Sequence, residues 1–188
     1  MTRSISCHKT IQISLCSTII PIALSSSHLL AAVFYLAACH PVSLGLEQPV
    51  VETAHLKYAS LQQLRAALSA PSEYISKEAA LASTLTLCMA EIVSGGEEQN
   101  SWRTHFEGAT ALSFFDTGDL AQTMDSPTKK LLKQLLQSIQ AVAVSCGSPE
   151  LRSSRSLCEE SHNATPNYID ELTGFSTSLL PVFEEIFN

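Results

Sequence analysis

Three local patterns in this 188-residue chain carry side chains suited to chemistry, and each lacks a partner that its chemistry would need. Phe115-Asp116-Thr117-Gly118 matches the hydrophobic-Asp-Thr-Gly string of aspartic proteases, whose reaction requires two carboxylates sharing one proton. One copy is present, at the end of a helical pattern, where the glycine reads better as a C-terminal cap. His105 and Glu107 suggest acid-base work, yet residues two apart on a helix point in different directions and cannot meet. A core or boundary position is the expectation for His105. Cys158 and His162, four apart, would suit two metal ligands on a helix, with Glu159 and Glu160 adding oxygens, but they stand in a serine-rich stretch without further partners. The adjacent pairs Cys7-His8 and Cys39-His40 neither chelate a metal well nor set an imidazole as base for the thiol. No Gly-x-Ser-x-Gly, phosphate-binding loop, dinucleotide fingerprint or His-Glu-x-x-His occurs. The expectation is therefore no catalytic residue, no cofactor-binding residue and no metal ligand, in a chain that is not an enzyme.

Composition narrows the remaining classes. With 45% apolar and 15% charged residues, the chain can bury a sizeable core and is not of disordered type. A net charge of -7 and a pI near 5.3 make it a poor ligand for phosphate backbones, so direct nucleic-acid binding is not expected. The densest cationic group, Lys129, Lys130 and Lys133, reads as a solvated helix face. Of six cysteines, Cys39 and Cys88 fall inside apolar helical patterns, where a reduced thiol behaves as a small hydrophobe.

The elements that must position these residues are all helical in pattern. Residues 1–18 show no clear period and read as a lead-in or a first packing segment. A helix can start at Pro21, break at Ser25 to Ser27, and restart at Ser27 to run to about His40 before Pro41. That second helix is apolar nearly all round, which suits the centre of a bundle. Pro49 opens the next, with Ala54, Tyr58, Leu61, Leu64 and Leu68 as its core face until Pro71. Ser76 is the N-cap of a helix through Leu81, Leu85, Cys88, Met89 and Ile92, stopped by Gly95-Gly96. Asn100 or Ser101 caps the following helix, on which Trp102, His105 and Gly108 share one face and invite close packing, with an end near Gly118. Ser126-Pro127 opens another, with Leu131, Leu135, Ile139 and Val142 on one side and Leu132, Leu136 and Ala143 adjoining. Residues 148–167 form a polar, serine-rich stretch that reads as a mobile loop, followed by one or two turns at Tyr168 to Leu172 and a final amphipathic helix from Ser176 to Phe187. No strand alternation persists. The fold class is all-α, an irregular bundle of about six to eight helices, with a poorly defined lead-in at 1–18 and one helical domain at 19–188.

Three strings carry a resemblance. LCMAEIVSGGEEQNSWRTHFEGATAL, residues 87–112, ends a leucine-rich helix in Glu-Ile and follows it with Trp102, His105 and Glu107-Gly108-Ala109. IIPIALSSSHLLAAVFYLAACH, residues 19–40, leads through serines into an alanine-rich helix ending in histidine, and IDELTGFSTSLLPVFEEIF, residues 169–187, joins a short acidic helix to a leucine-rich one through Gly-x-Ser. In this order they resemble the C-terminal helical regulatory domain of fungal zinc-cluster transcription factors. The resemblance implies a nuclear, all-helical regulatory region attached to a DNA-binding zinc cluster. The chain departs from that pattern: a binuclear cluster needs Cys-x2-Cys pairs, and the shortest cysteine interval here, Cys7 to Cys16, is nine residues; a basic linker, coiled-coil heptads and the further helices usual in the family are also not seen in the sequence. It resembles the regulatory domain of such a factor without its zinc cluster, as a shortened relative or a fragment.

The implied function is regulation of RNA polymerase II transcription through protein contacts or effector sensing. The implied partners are another protein or a second copy of the chain, with a small-molecule effector as an option and no membrane. A secreted or membrane-associated helical protein is the alternative. Arg3 and Lys9 precede an apolar stretch from Ile11 to Leu24, serines follow, and Asn163-Ala164-Thr165 is a formal glycosylation sequon. Against it, Ser14, Ser17, Thr18 and Pro21 dilute the apolar run, and Pro166 spoils the sequon. The longest apolar run, Leu29 to Cys39, is far short of the roughly 20 residues of a membrane span.

Overall fold

The computed structural model describes residues 9–43, 50–70, 76–95, 101–114 and 126–145. These form six helices: α1 (Lys9–Ser25), α2 (Ser27–Ser43), α3 (Val50–Ser69), α4 (Lys77–Ser94), α5 (Ser101–Phe114) and α6 (Pro127–Ser145). Among the described residues there is no strand, and the fold is an all-α bundle. The Asp116-Thr117-Gly118 string, Cys158 and His162, the 148–167 stretch and the 168–188 tail lie outside the described residues.

Local signals set the helix ends. Ser26 breaks the chain between α1 and α2, and its carbonyl accepts the Leu30 amide at 3.0 Å, so the serine run recaps the helix as expected. Ser76 caps α4, its hydroxyl accepting the Ala79 amide at 3.2 Å, and Gly95 closes that helix at φ 77°, in the left-handed region that a β-carbon disfavours. Ser126 accepts from Lys130 at the start of α6, with Pro127 at the first helical position. Two prolines are carried inside helices: α1 begins at Lys9, well before Pro21, and α2 continues past Pro41 to Ser43. Packing outweighs the proline penalty in α1, where Leu15, Ile19 and Ala23 are buried on one face. Residues 9–18 thus contribute a packing segment, and cleavage after residue 27 would remove core side chains.

The centre of the bundle is α4, which touches all five other helices. This corrects the expectation that α2 would be central. Ala79, Ala80, Ala82, Ser83, Thr84, Thr86, Cys88 and Ala90 are buried around α4, and their small side chains let neighbours approach from every side. Its hydroxyls add no unsatisfied group, because Ser83, Thr84 and Thr86 donate to the carbonyls of Ala79, Ala80 and Ala82 at 2.7, 2.9 and 2.7 Å. By contrast α2 leaves Phe34 and Ala37 in solvent.

A second correction concerns α3. Tyr58 is 66% exposed, and Ala54 and Leu68 also face out; the inward stripe is Leu56, Lys57, Ser60, Leu61 and Leu64. Both stripes have helical spacing and share Leu61 and Leu64, so apolar periodicity alone could not separate them. The inward face also answers a polar demand from α4.

Candidate functional site

That demand comes from Glu91. It lies in the last turn of α4, is 2% exposed, and sits at the helix end whose partial negative charge opposes a carboxylate. A buried charge in this place must be paired and hydrogen-bonded. Three helices supply the partners. From α2, the Tyr35 hydroxyl donates to Glu91 Oε1 at 2.8 Å; from α3, Lys57 Nζ reaches Oε1 at 2.9 Å and Oε2 at 3.2 Å; from the first residue of α5, Ser101 Oγ donates to Oε2. Ser60, buried beside this tie on α3, returns its hydroxyl to the Lys57 carbonyl at 2.8 Å. One carboxylate thus holds four helices in register.

The titration behaviour follows from the same geometry. Burial pushes the Glu91 carboxyl up, but the bonds from Ser101, Lys57 and Tyr35 and the Lys57 charge outweigh it and leave the group below its ordinary value of 4.5. Burial, then the bond to Glu91, raises the Tyr35 hydroxyl far above its ordinary range. Burial and the Glu91 charge push the Cys88 thiol up to about 12, and burial raises Cys39. Both are buried free thiols without nucleophilic character at neutral pH. His105 is half-buried, and its pKa is lowered by burial against the opposing pull of Glu91.

The described parts of the 87–112 string, residues 87–95 and 101–112, form an antiparallel pair of helices. Glu91 meets Ser101, the Cys88 thiol lies 3.4 Å from the Trp102 carbonyl, and Thr84 lies opposite Gly108, so the chain positions run in opposite senses along the seam. Of the face expected to pack closely, Trp102 and His105 are half-buried, while Phe106, Ala109 and Thr110 are the buried positions among the described side chains of α5. Trp102 meets Phe106 edge-on at 6.4 Å and 65°, with the Arg103 guanidinium 5.7 Å above the indole. At Gly108 a β-carbon would stand 3.5 Å from Thr84 Cγ2, an ordinary contact. The close approach thus does not depend on glycine there.

A second polar contact ties α2 to α4: His28 Nδ1 lies 2.8 Å from Ser83 Oγ. The Ser83 proton goes to the Ala79 carbonyl, so His28 must donate from Nδ1 for both contacts to be bonds. His28–Ser83 and Tyr35–Glu91 have nearly equal sequence offsets, so α2 and α4 run parallel and α3 is the returning connection.

Sequence reasoning placed Glu91 in a family-like string without assigning it a role, and did not single out Tyr35, Lys57 or Ser101 as a group. Tyr35 and Glu91 carry a partial signal, each being a polar group within an otherwise apolar helical stretch that must find a partner, whereas Lys57 and Ser101 stand among other polar residues and carry no such mark. Among the described residues no group of three or more His, Cys, Asp or Glu could hold a metal ion, and no helix is long and apolar enough to cross a membrane.

The fold is an all-α bundle registered by one fully partnered buried carboxylate. The whole chain, residues 1–188, matches the fungal specific transcription factor domain, and the chain belongs to that family. Membership gives it a role in transcription regulation. No curated protein and no solved structure matches it.

Proposed function

We propose that this domain regulates RNA polymerase II transcription in the nucleus, acting as a non-enzymatic scaffold through contacts with other proteins or in answer to a small effector. The observation that carries this reading is the family match over residues 1–188. The net charge of -7 supports an indirect role for these residues, with DNA contact made elsewhere. Because the Glu91 tie joins α2, α3, α4 and α5, a partner that shifts α3 must also part Lys57 from Glu91. The arrangement of these helices is then the quantity that a partner or effector would act on.

The test is to fuse residues 1–188 to an unrelated DNA-binding domain and measure a reporter gene in a fungal cell. The reporter is expected to rise or fall relative to the DNA-binding domain alone. Equal reporter expression with and without residues 1–188, at equal protein level, would sink the reading.

A further inference from the structure

Helix α3 lies on a seam that the other helices build without it. The parallel helices α2 and α4 pack directly on each other, and three bonds that leave α3 out fix their frame: His28 to Ser83, Tyr35 to Glu91, and Ser101 of α5 to Glu91. Along this seam runs an apolar cluster in which Tyr35, Leu36 and Cys39 of α2 meet Ala80, Leu87 and Ala90 of α4. Helix α3 adds Leu64 to that cluster and lays Leu56 and Leu61 against it. Among the described side chains Leu64 is the one buried apolar group of α3, fewer than in any other helix, whereas α6 buries Leu131, Leu132, Leu135, Leu136 and Ile139. The outer face of α3 is solvated, with Glu52, His55, Gln62, Gln63 and Arg65 exposed. Its tie to α4 is polar, Lys57 on Glu91 at 2.9 Å. A helix held in this way opens at lower cost than the helices beneath it.

We propose that α3 is a displaceable helix: the groove along α2 and α4 is a docking site for an amphipathic helix of another protein, and α3 keeps it closed by occupying it. What the groove now holds gives the chemistry of that occupant. Leu56, Leu61 and Leu64 share one broad face with Lys57, so the partner helix carries apolar side chains at the same spacing and a lysine or arginine one position after the first. Charge complementarity selects such a helix over a purely apolar or an acidic one. With α3 lifted, Glu91 keeps Tyr35 and Ser101 but loses the Lys57 ammonium, and a carboxylate covered again without a cation is costly. An acidic partner would add to that cost. Docking competes with α3, so the partner's affinity is reduced by the fraction of chains in which α3 is lifted. The inference rests on the reading that the domain works through protein contacts and names the contact.

The probe is a fluorophore-labelled peptide of residues 50–69, added to the full chain and followed by anisotropy. Wild-type chain should bind it weakly, because its own α3 competes. Leu64→Ala in the chain should tighten binding at least about tenfold by loosening α3, whereas the same substitution in the peptide should weaken it. Lys57→Ala should act with the same opposite signs in chain and peptide, and serves independently if the Leu64 variant fails to fold. Leu136→Ala, on α6 in the other apolar cluster, should bind the peptide as wild type does, which separates release of α3 from general loosening. Native-state hydrogen exchange of the wild type should show α3 amides opening more readily than those of α2 and α4. The proposal is overturned by α3 variants that fold and bind the peptide no tighter, by a Lys57→Ala peptide that binds as well as the unaltered one, by equal tightening in Leu136→Ala, or by α3 amides as protected as those of α4. A loosened chain that self-associates toward twice 20.3 kDa would give the groove to α3 of a second copy and overturn its assignment to another protein. Peptide binding with no reporter response would sink only the transcription reading; a reporter-active chain whose loosened groove refuses the peptide would sink only this inference.

Discussion

At the residue scale, the stability of this protein is most exposed at Glu91, because a carboxylate that is 2% exposed is tolerable only while its donors remain. Lys57→Ala is expected to lower unfolding free energy by about 2–3 kcal/mol, read from urea denaturation. A loss under about 0.5 kcal/mol would show that the ion pair is not structural. The double variant Lys57→Met with Glu91→Gln should lose less than the sum of its single variants, since it removes both charges together. On α5, Phe106→Ala is expected to cost about 3–5 kcal/mol and more than Trp102→Ala, because Phe106 is fully buried and Trp102 is not. Gly108→Ala should be neutral or stabilising by up to about 1 kcal/mol, as the new methyl meets Thr84 at an ordinary distance and helix propensity favours alanine. A clear destabilisation would mean that α4 and α5 approach more closely than the described geometry. The helix that carries Trp102 was legible in the sequence; the deeper burial of Phe106 was not, because neighbouring stripes on one helix differ only by which one meets a partner.

At the element scale, the ends of α4 were readable and the inward face of α3 was not. Ser76 and Gly95 act through the backbone of their own segment, so residue type alone announces them. Their replacement gives a local test: Ser76→Ala and Gly95→Ala should each cost about 1 kcal/mol in thermal or urea unfolding, the first by losing a cap and the second by forcing a β-carbon into the left-handed region. Neutral outcomes at both would deny that these residues define the helix. The α3 face is different in kind. Tyr58 and Leu68 fit an apolar stripe as well as Leu56 does, and the face that turns inward is the one that packs Leu56, Leu61 and Leu64 and also brings Lys57 to Glu91. The same distinction explains why an apolar α2 looked central while α4, rich in serine and threonine, occupies the centre. A hydropathy count scores these hydroxyls as polar and misses that intrahelical bonds satisfy them, which lets the helix be buried.

At the scale of the whole molecule, burial of imidazole and carboxylate makes stability depend on acid. His28 is held below its ordinary 6.5 by burial, and His105 is held below it by burial against the pull of Glu91. Each therefore binds fewer protons folded than unfolded, and stability that is full above about pH 6.5 is lost as pH falls toward the folded values. Glu91, also depressed, adds a second loss below its ordinary 4.5. Urea midpoints measured from pH 8 to pH 3 should first decline below about 6.5 and fall further below about 4.5. Replacing both imidazoles by glutamine should remove the first decline and leave the second; persistence of the first would assign it to other groups. Helix class, most helix boundaries, the acidic charge and family membership were settled by the sequence, because periodicity, caps, composition and motif order are properties of neighbours along the chain. The central place of α4, the rotation of α3 and the convergence of Tyr35, Lys57 and Ser101 on Glu91 were decided by the tertiary structure alone. Each depends on which of several equivalent helix faces meets a buried group from a distant segment, and no local pattern specifies that meeting.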